Sequence, residues 1–149
     1  KALNMAAEAL IEYSDDIIKA NEIDINNGKE KGLSASLIDR LMLNADRIKA
    51  IANSLKEIAN EEDPVGKILE SDVRPNRLKI NKISVPLGVV GIIYEARPNV
   101  TADAAAICLK SGNAAILRGG KEAINSNIAI AKVLNDAFIS SLTECQMSH

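Results

Sequence analysis

The chain has 149 residues, 47% of them hydrophobic and 26% charged, with a net charge of −2. That length supports one domain with a real core but not two large ones, and the mixed charges lack the basic stripe a nucleic-acid binder needs. Cys108 and Cys145 have no repeated spacing and His149 is the lone histidine, which excludes a disulfide framework and a Cys/His zinc site, so no metal is expected.

Aromatic residues are confined to Tyr13, Tyr94 and Phe138, with no tryptophan, so the core must be aliphatic. Leu3, Ala7, Leu10 and Ile17 fall on one helical face. Ser14 followed by two aspartates predicts a second helix start, fading at Asn26–Gly28 or at Gly32. Ser34 is expected to cap a short helix carrying Leu37, Ile38, Leu41 and Met42. Asn44 is expected to cap another, in which Ile48, Ile51, Leu55 and Ile58 repeat. Residues 1–62 therefore read as a helical layer.

Asp63-Pro64-Val65-Gly66 stops the helix, because proline lacks a donor and disfavours helix in the residue before it. Residues 63–86 read as a linker and a strand or hairpin. From Arg77 to Val85 the alternation changes parity between Ile80 and Ile83, which predicts a bulge, a turn or a change of packing environment.

Leu87 to Ala96 is apolar on both faces, as a buried parallel strand would be, and too short to span a bilayer. With no secretory h-region in view, a cytoplasmic protein without membrane or nucleic-acid partners is expected. Val100 to Ser111 predicts a helix ended by Gly112, with Lys110 facing the negative dipole end. Ala114 to Leu117 predicts a second buried strand. Beyond it, Ile124, Ile128, Ala131, Leu134 and Phe138 mark a helix face. The strand-helix-strand-helix of residues 87–138 is the start of a parallel α/β sheet, one that needs further strands.

The run from Val85 to Thr101, VPLGVVGIIYEARPNVT, resembles the signature of gamma-glutamyl phosphate reductase, a member of the aldehyde dehydrogenase superfamily. Cys108 to Ala123, CLKSGNAAILRGGKEA, continues it, and Gly32-Leu33-Ser34, Asp39-Arg40-Leu41 and Asp63-Pro64-Val65-Gly66 are also similar to that family. The resemblance extends to about Ala137, and residues 139–149 read as an unmatched tail. It implies an α/β fold: an amino-terminal helical layer, then the start of the superfamily's Rossmann-like parallel sheet, incomplete here. It also implies a fragment, since the family's chains are more than twice as long, carry their nucleophilic cysteine later, and Lys1 looks internal.

The activity implied is NADPH-dependent reduction of gamma-glutamyl phosphate to glutamate 5-semialdehyde in proline biosynthesis. The resemblance further implies a homo-oligomer and a functional association with glutamate 5-kinase. Two alternatives stand beside it: a truncated, non-catalytic binding or oligomerisation module, and another superfamily dehydrogenase with a different substrate.

Such chemistry needs a thiolate, a hydride donor and an oxyanion hole. Cys108 reads as a small buried hydrophobe in mid-helix, and Cys145 lies in the tail, so neither is expected to be the nucleophile. Asn99 follows a strand and precedes a helix, at the sheet edge where α/β sites form, and reads either as an oxyanion-hole donor or, like Thr101, as a helix cap. Arg97 reads as a binder of a substrate carboxylate or phosphate, or as a solvated or Glu95-paired base. Arg118-Gly119-Gly120-Lys121 opens the last helix. The resemblance favours it as a cofactor site in which Arg118 and Lys121 read a 2′-phosphate, against an ordinary glycine turn. Gly88 and Gly91 read as packing glycines.

Overall fold

A computed structural model describes the backbone of residues 1–147 and the side chains of residues 1–143, so the side chain of Cys145 lies outside the described residues. The first four elements are helices: α1 (Ala2–Glu12), α2 (Ser14–Glu30), α3 (Ala35–Leu41) and α4 (Ala45–Asn60). A hairpin follows, β1 (Ile68–Val73) against β2 (Lys79–Ile83). Then come β3 (Val89–Ile93), α5 (Asn99–Lys110), β4 (Ala114–Arg118), a 3₁₀ turn at Lys121–Ala123, and α6 (Ile124–Met147).

Local chemistry sets several boundaries as expected. The Ser34 hydroxyl accepts from the Leu37 amide at 3.4 Å, and Asn44 Oδ1 accepts from the Arg47 amide at 2.8 Å, so both cap their helices. Ser14 caps nothing; it is the first residue of α2, behind Tyr13. Gly112 ends α5 with φ +73°, and the Asn113 amide donates back to the Cys108 carbonyl at 2.8 Å. Lys110 stands in the last turn of α5, as expected, and also reaches a second helix. Its Nζ donates to the Ala59 carbonyl at 3.0 Å and so closes the last turn of α4.

The core lies among the helices. Leu3, Ala6, Ala7 and Leu10 of α1, Ile48, Ile51, Ala52 and Leu55 of α4, and Ile130, Leu134 and Ala137 of α6 form one buried cluster with Ile17 and Leu43. Ala102 and Ala106 of α5 join it, and their small side chains let α5 approach α4 and α6 closely. The cluster is aliphatic, and α1 seals it against both α4 and α6. Truncating a fully buried leucine such as Leu55 to alanine would cost about 2–5 kcal/mol.

On α6 the buried face is Ser126, Asn127, Ile130, Leu134, Ala137 and Ser141. This corrects the expected face: Leu134 is shared, but Ile124 and Ile128 are exposed. The physical reason is that Ser126 and Asn127 have buried partners, which the apolar pattern alone does not reveal.

The strands also depart from expectation. β3 and β4 pair in parallel with Val89 opposite Ala114 and Ile93 opposite Arg118, as the strand-helix-strand order requires. They are not buried: Val89 is 65% exposed and Ile93 80%, because this sheet has two strands among the described residues and no layer on its outer face. In the antiparallel hairpin the register slips between Ile68 and Glu70, opposite Ile83 and Lys82, so a bulge occurs beside the segment where the parity changes, with the extra residue on β1. Arg77, at φ 68°, turns the chain between the two strands. Among the described residues Gly88 and Gly91 have open space where a side chain would sit, so no packing contact there demands glycine, against their reading as packing glycines. Gly88 is needed for its φ of +106°.

Candidate functional site

Two turns leave the carboxyl edge of the β3–β4 sheet, the edge at which α/β ligand sites form. The first, Tyr94 to Pro98, leads into α5; the second, Gly119 and Gly120, leads into the 3₁₀ turn before α6. They touch one another. The Tyr94 amide donates to the Arg118 carbonyl at 3.0 Å, and a Cβ on Gly120 would come within 3.3 Å of the Glu95–Ala96 peptide. The four-residue motif after β4 and the Arg97–Asn99 segment after β3 therefore share one edge.

Behind this edge lies a polar relay. The Tyr94 hydroxyl and Thr101 Oγ1 are 2.6 Å apart, and Thr101 Oγ1 donates to Asn127 Oδ1 at 3.0 Å. Thr101 is thus tied between the β3–α5 turn and α6, and it does not cap α5. Nor does Asn99: the residue ahead of the helix is Pro98, and no side chain caps that end. Asn99 instead donates through Nδ2 to Asp103 Oδ2, one turn on, at 3.2 Å. This overturns the helix-cap alternative for both residues and leaves one N–H of the Asn99 amide uncommitted.

Arg97 and Asn99 open onto a cleft of about 440 Å³ between the β3–α5 turn and the α3–α4 corner. Asp39, Arg40, Arg47 and Asp103 bring further charges to it. Asp39 and Arg47 pair with each other at 2.8 Å. The guanidinium groups of Arg97 and Arg40 have no hydrogen-bond or ion-pair partner among the described residues, so the Glu95 pairing considered for Arg97 does not form; the two join through backbone atoms at 2.9 Å. Of the charged and amide side chains in this cleft, the residue pattern singled out Arg97 and Asn99 as site residues but not Asp39, Arg40, Arg47 or Asp103. The signal for Arg40 was the Asp39-Arg40-Leu41 motif itself.

At the second turn the structure removes part of the expected anion site. The amides at the start of α6 are occupied by a carboxylate from α2. Asp24 Oδ1 accepts from the Asn125 amide and side chain at 3.2 and 2.7 Å, and Oδ2 accepts from the Ser126 amide and hydroxyl at 2.7 and 2.6 Å. The two glycines have internal reasons as well. A Cβ on Gly119 would lie 2.1 Å from Asn127 Nδ2 and 2.9 Å from the Tyr94 ring, and one on Gly120 would lie 2.7 Å from Glu122 Oε2. Close packing therefore accounts for both glycines without a ligand.

What remains for a ligand are side chains. Arg118 and Lys121 are exposed and without partners among the described residues, three positions apart across the turn. Beside them Asn127 Nδ2 is a buried donor with no acceptor. Two unpaired bases fit a phosphate group, whereas a cradle of helix-terminal amides is not on offer.

Cys108 is buried in α5, in keeping with a structural side chain. No group of acidic, cysteine or histidine side chains suited to a metal occurs among the described residues, and no helix among them is long and apolar enough to cross a membrane. Two larger clefts, of about 760 Å³ under β4 and about 630 Å³ between α1 and α6, contain none of the expected site residues.

The chain is similar to known proteins over most of its length. The chain is 60% identical over 136 residues to the gamma-glutamyl phosphate reductase of Clostridium novyi, covering 91% of this chain and 33% of that protein. It is 59% identical over 141 residues to the reductase of the same name from Caldanaerobacter subterraneus, covering 95% of this chain and 34% of the relative. The crystal structure of gamma-glutamyl phosphate reductase from Thermotoga maritima aligns with a TM-score of 0.91 at 43% identity, over 94% of this chain and 34% of that one. The Saccharomyces cerevisiae enzyme of that name aligns at 0.89 and 38%, over 96% and 36%. No protein-family profile matches the chain. The chain spans about a third of the length of the relatives it matches. The resemblance read from the motifs therefore holds over nearly the whole sequence, and the α/β fold is that of the corresponding part of the reductase structure.

Proposed function

We propose that this chain is part of a gamma-glutamyl phosphate reductase, which reduces gamma-glutamyl phosphate to glutamate 5-semialdehyde with release of phosphate, a step of proline biosynthesis. The observation that carries the reading is the 60% identity over 136 residues to a protein of that name. In this reading residues 1–62 are the helical segment of the cofactor domain, residues 63–86 lead to the oligomerisation element, residues 87–138 open the cofactor-binding sheet, and residues 139–149 follow it.

The reaction needs a thiolate that displaces phosphate from the acyl carbon, and a hydride that then releases the aldehyde. The burial of Cys108 argues against its being that thiol. NADPH supplies the hydride when bound. Arg118 and Lys121 are the groups suited to its 2′-phosphate, and Gly119 and Gly120 let the turn lie close against the β3 side. Asn99 keeps one amide N–H anchored on Asp103 and has the other to offer to a developing oxyanion. Arg97 offers a planar cation to a carboxylate or phosphate of the substrate.

The same reading places the enzyme in the aldehyde dehydrogenase superfamily, in the cytoplasm and in a homo-oligomer. The β1–β2 hairpin supports the oligomer, since all its residues are exposed and its edges pair with no other strand among the described residues. An acyl phosphate hydrolyses readily, which favours functional association with the glutamate 5-kinase that makes it.

The test is turnover by the full-length protein containing this sequence. Glutamate 5-semialdehyde, phosphate and NADP should support reduction of the cofactor, with much lower rates for simple aldehydes such as propanal. Equal rates with propanal would support a different dehydrogenase; no turnover with either would support a non-catalytic module.

A further inference from the structure

The Asp39-Arg40-Leu41 motif contains one residue, Arg40, whose side chain makes no hydrogen bond or ion pair among the described residues. Leu41 is fully buried, and its carbonyl accepts from Asn21 Nδ2 at 2.8 Å. Asp39 is paired with Arg47, whose guanidinium also donates to the Asp39 carbonyl and, at 2.8 Å, to the Met42 carbonyl. The Leu43 amide donates to Asn21 Oδ1 at 2.7 Å, so the corner is held on both sides of Arg40. Five hydrogen bonds thus fix a short segment whose central side chain has no partner among the described residues.

That side chain lines the same cleft as Arg97, Asn99 and Asp103. With Asp39 and Arg47 neutralising each other, the charges left to the cleft are two guanidiniums and the Asp103 carboxylate. The balance is positive in a chain whose net charge is −2. A cleft of about 440 Å³ holds a small molecule. Guanidinium groups with no partner are suited to bidentate contact with a carboxylate or phosphate.

We propose that Arg40 and Arg97 form a two-guanidinium clamp for an oxyanion group of the amino-acid substrate, its α-carboxylate or its phosphate, in the cleft between the α3–α4 corner and the β3–α5 turn. The assignment rests on the reductase reading. The hydrogen-bonded corner anchors the backbone from which Arg40 projects, and the turn after β3 carries Arg97 to the same cleft.

The test uses the full-length protein in the direction that consumes semialdehyde and phosphate, with each varied separately. Arg40→Ala should raise KM about ten-fold or more for one of the two, with kcat and the KM for NADP little changed and partial rescue by Arg40→Lys. A rise for the semialdehyde identifies the α-carboxylate, and a rise for phosphate identifies the phosphoryl group. KM values within about two-fold of wild type for both, or a loss of thermal stability alone, would mean that Arg40 merely closes the end of α3. A second readout needs no turnover: the Arg40 side-chain NH resonance followed while L-glutamate or inorganic phosphate is added. A saturable shift with either supports the clamp even if the wild type proves inactive with semialdehyde, whereas no shift with either overturns it.

Discussion

The carboxylate of Asp24 sits on the first turn of α6, where it accepts from the Ser126 amide at 2.7 Å and the Ser126 hydroxyl at 2.6 Å across 102 positions of sequence. Ser126 Oγ in turn accepts from Asn21 Nδ2 at 2.9 Å, so two side chains of α2 hold the start of the last helix. Asp24, Asn21 and Ser126 are all buried. This lock is structural, and it occupies the amides that an anionic ligand would otherwise meet.

Asp24→Ala is therefore expected to destabilise the fold by about 3 kcal/mol or more, since it strands buried donors on Asn125 and Ser126. Asp24→Asn, which keeps one acceptor, should cost less. Urea denaturation of the two variants checks the order. Equal stability of Asp24→Ala and the wild type would show that water satisfies these donors.

Gly119 makes a sharper steric test. Adding a methyl group there meets Asn127 Nδ2 at 2.1 Å and the Tyr94 ring at 2.9 Å, so Gly119→Ala should cost about 1–3 kcal/mol. In an Asn127→Ala background the same substitution should cost less, because the nearer obstacle is gone. A double-mutant cycle by thermal or chemical denaturation measures that difference. Additive losses would argue that the Tyr94 ring alone sets the need for glycine.

For the proposed cofactor site, Arg118→Ala and Lys121→Ala should each weaken NADPH by roughly ten-fold or more, and NADH much less. Both side chains are exposed, so thermal stability should hold. Equal losses for the two cofactors, or none for either, would sink the 2′-phosphate role.

Cys108→Ala in the full-length protein should leave kcat within about two-fold of wild type, since a buried thiol in α5 behaves as a small hydrophobe. Abolished turnover with intact stability would make Cys108 the nucleophile after all.

Near the end of α4, Lys67 donates to Glu62 at 2.6 Å across the Asp63–Pro64 turn. That hydrogen bond, and then the ammonium charge, hold the Glu62 carboxyl below the usual glutamate range. A lowered pKa means that the ion pair's contribution is complete above the ordinary glutamate value and lost as pH falls through the lowered one. Lys67→Met should return the Glu62 titration to the ordinary range, as followed by carboxyl-carbon NMR. An unchanged titration would show that the pair does not persist in solution.

Which parts of this molecule were legible in its sequence follows from the range of the forces involved. Ser34, Asn44 and Gly112 act on residues within one turn of themselves, and each ended or began a helix where expected. The buried face of α6 was misread because Ser126 and Asn127 are buried against Asp24 and Thr101, partners remote in the chain. The strand-turn-helix order brought out Arg97 and Asn99. Arg40 joins them only through the packing of α4 against α5, which no local pattern encodes. Gly119 and Gly120 were visible as glycines, but the side chains and backbone that demand them come from other elements.

The seal of α1 against α6 sets an order of events during synthesis. Leu3, Ala7 and Leu10 share a core with Ile130, Leu134 and Ala137, so α1 cannot be fully covered until α6 has followed it from the ribosome. At translation rates of about 5–20 residues per second, that interval is roughly 6–26 seconds. During it, α1 and α4 expose an aliphatic stripe that their own pairing covers only in part. A chaperone that binds short apolar helices would find its target in that window, and stalling before the codon for Ile130 should leave the nascent chain open to protease at α1.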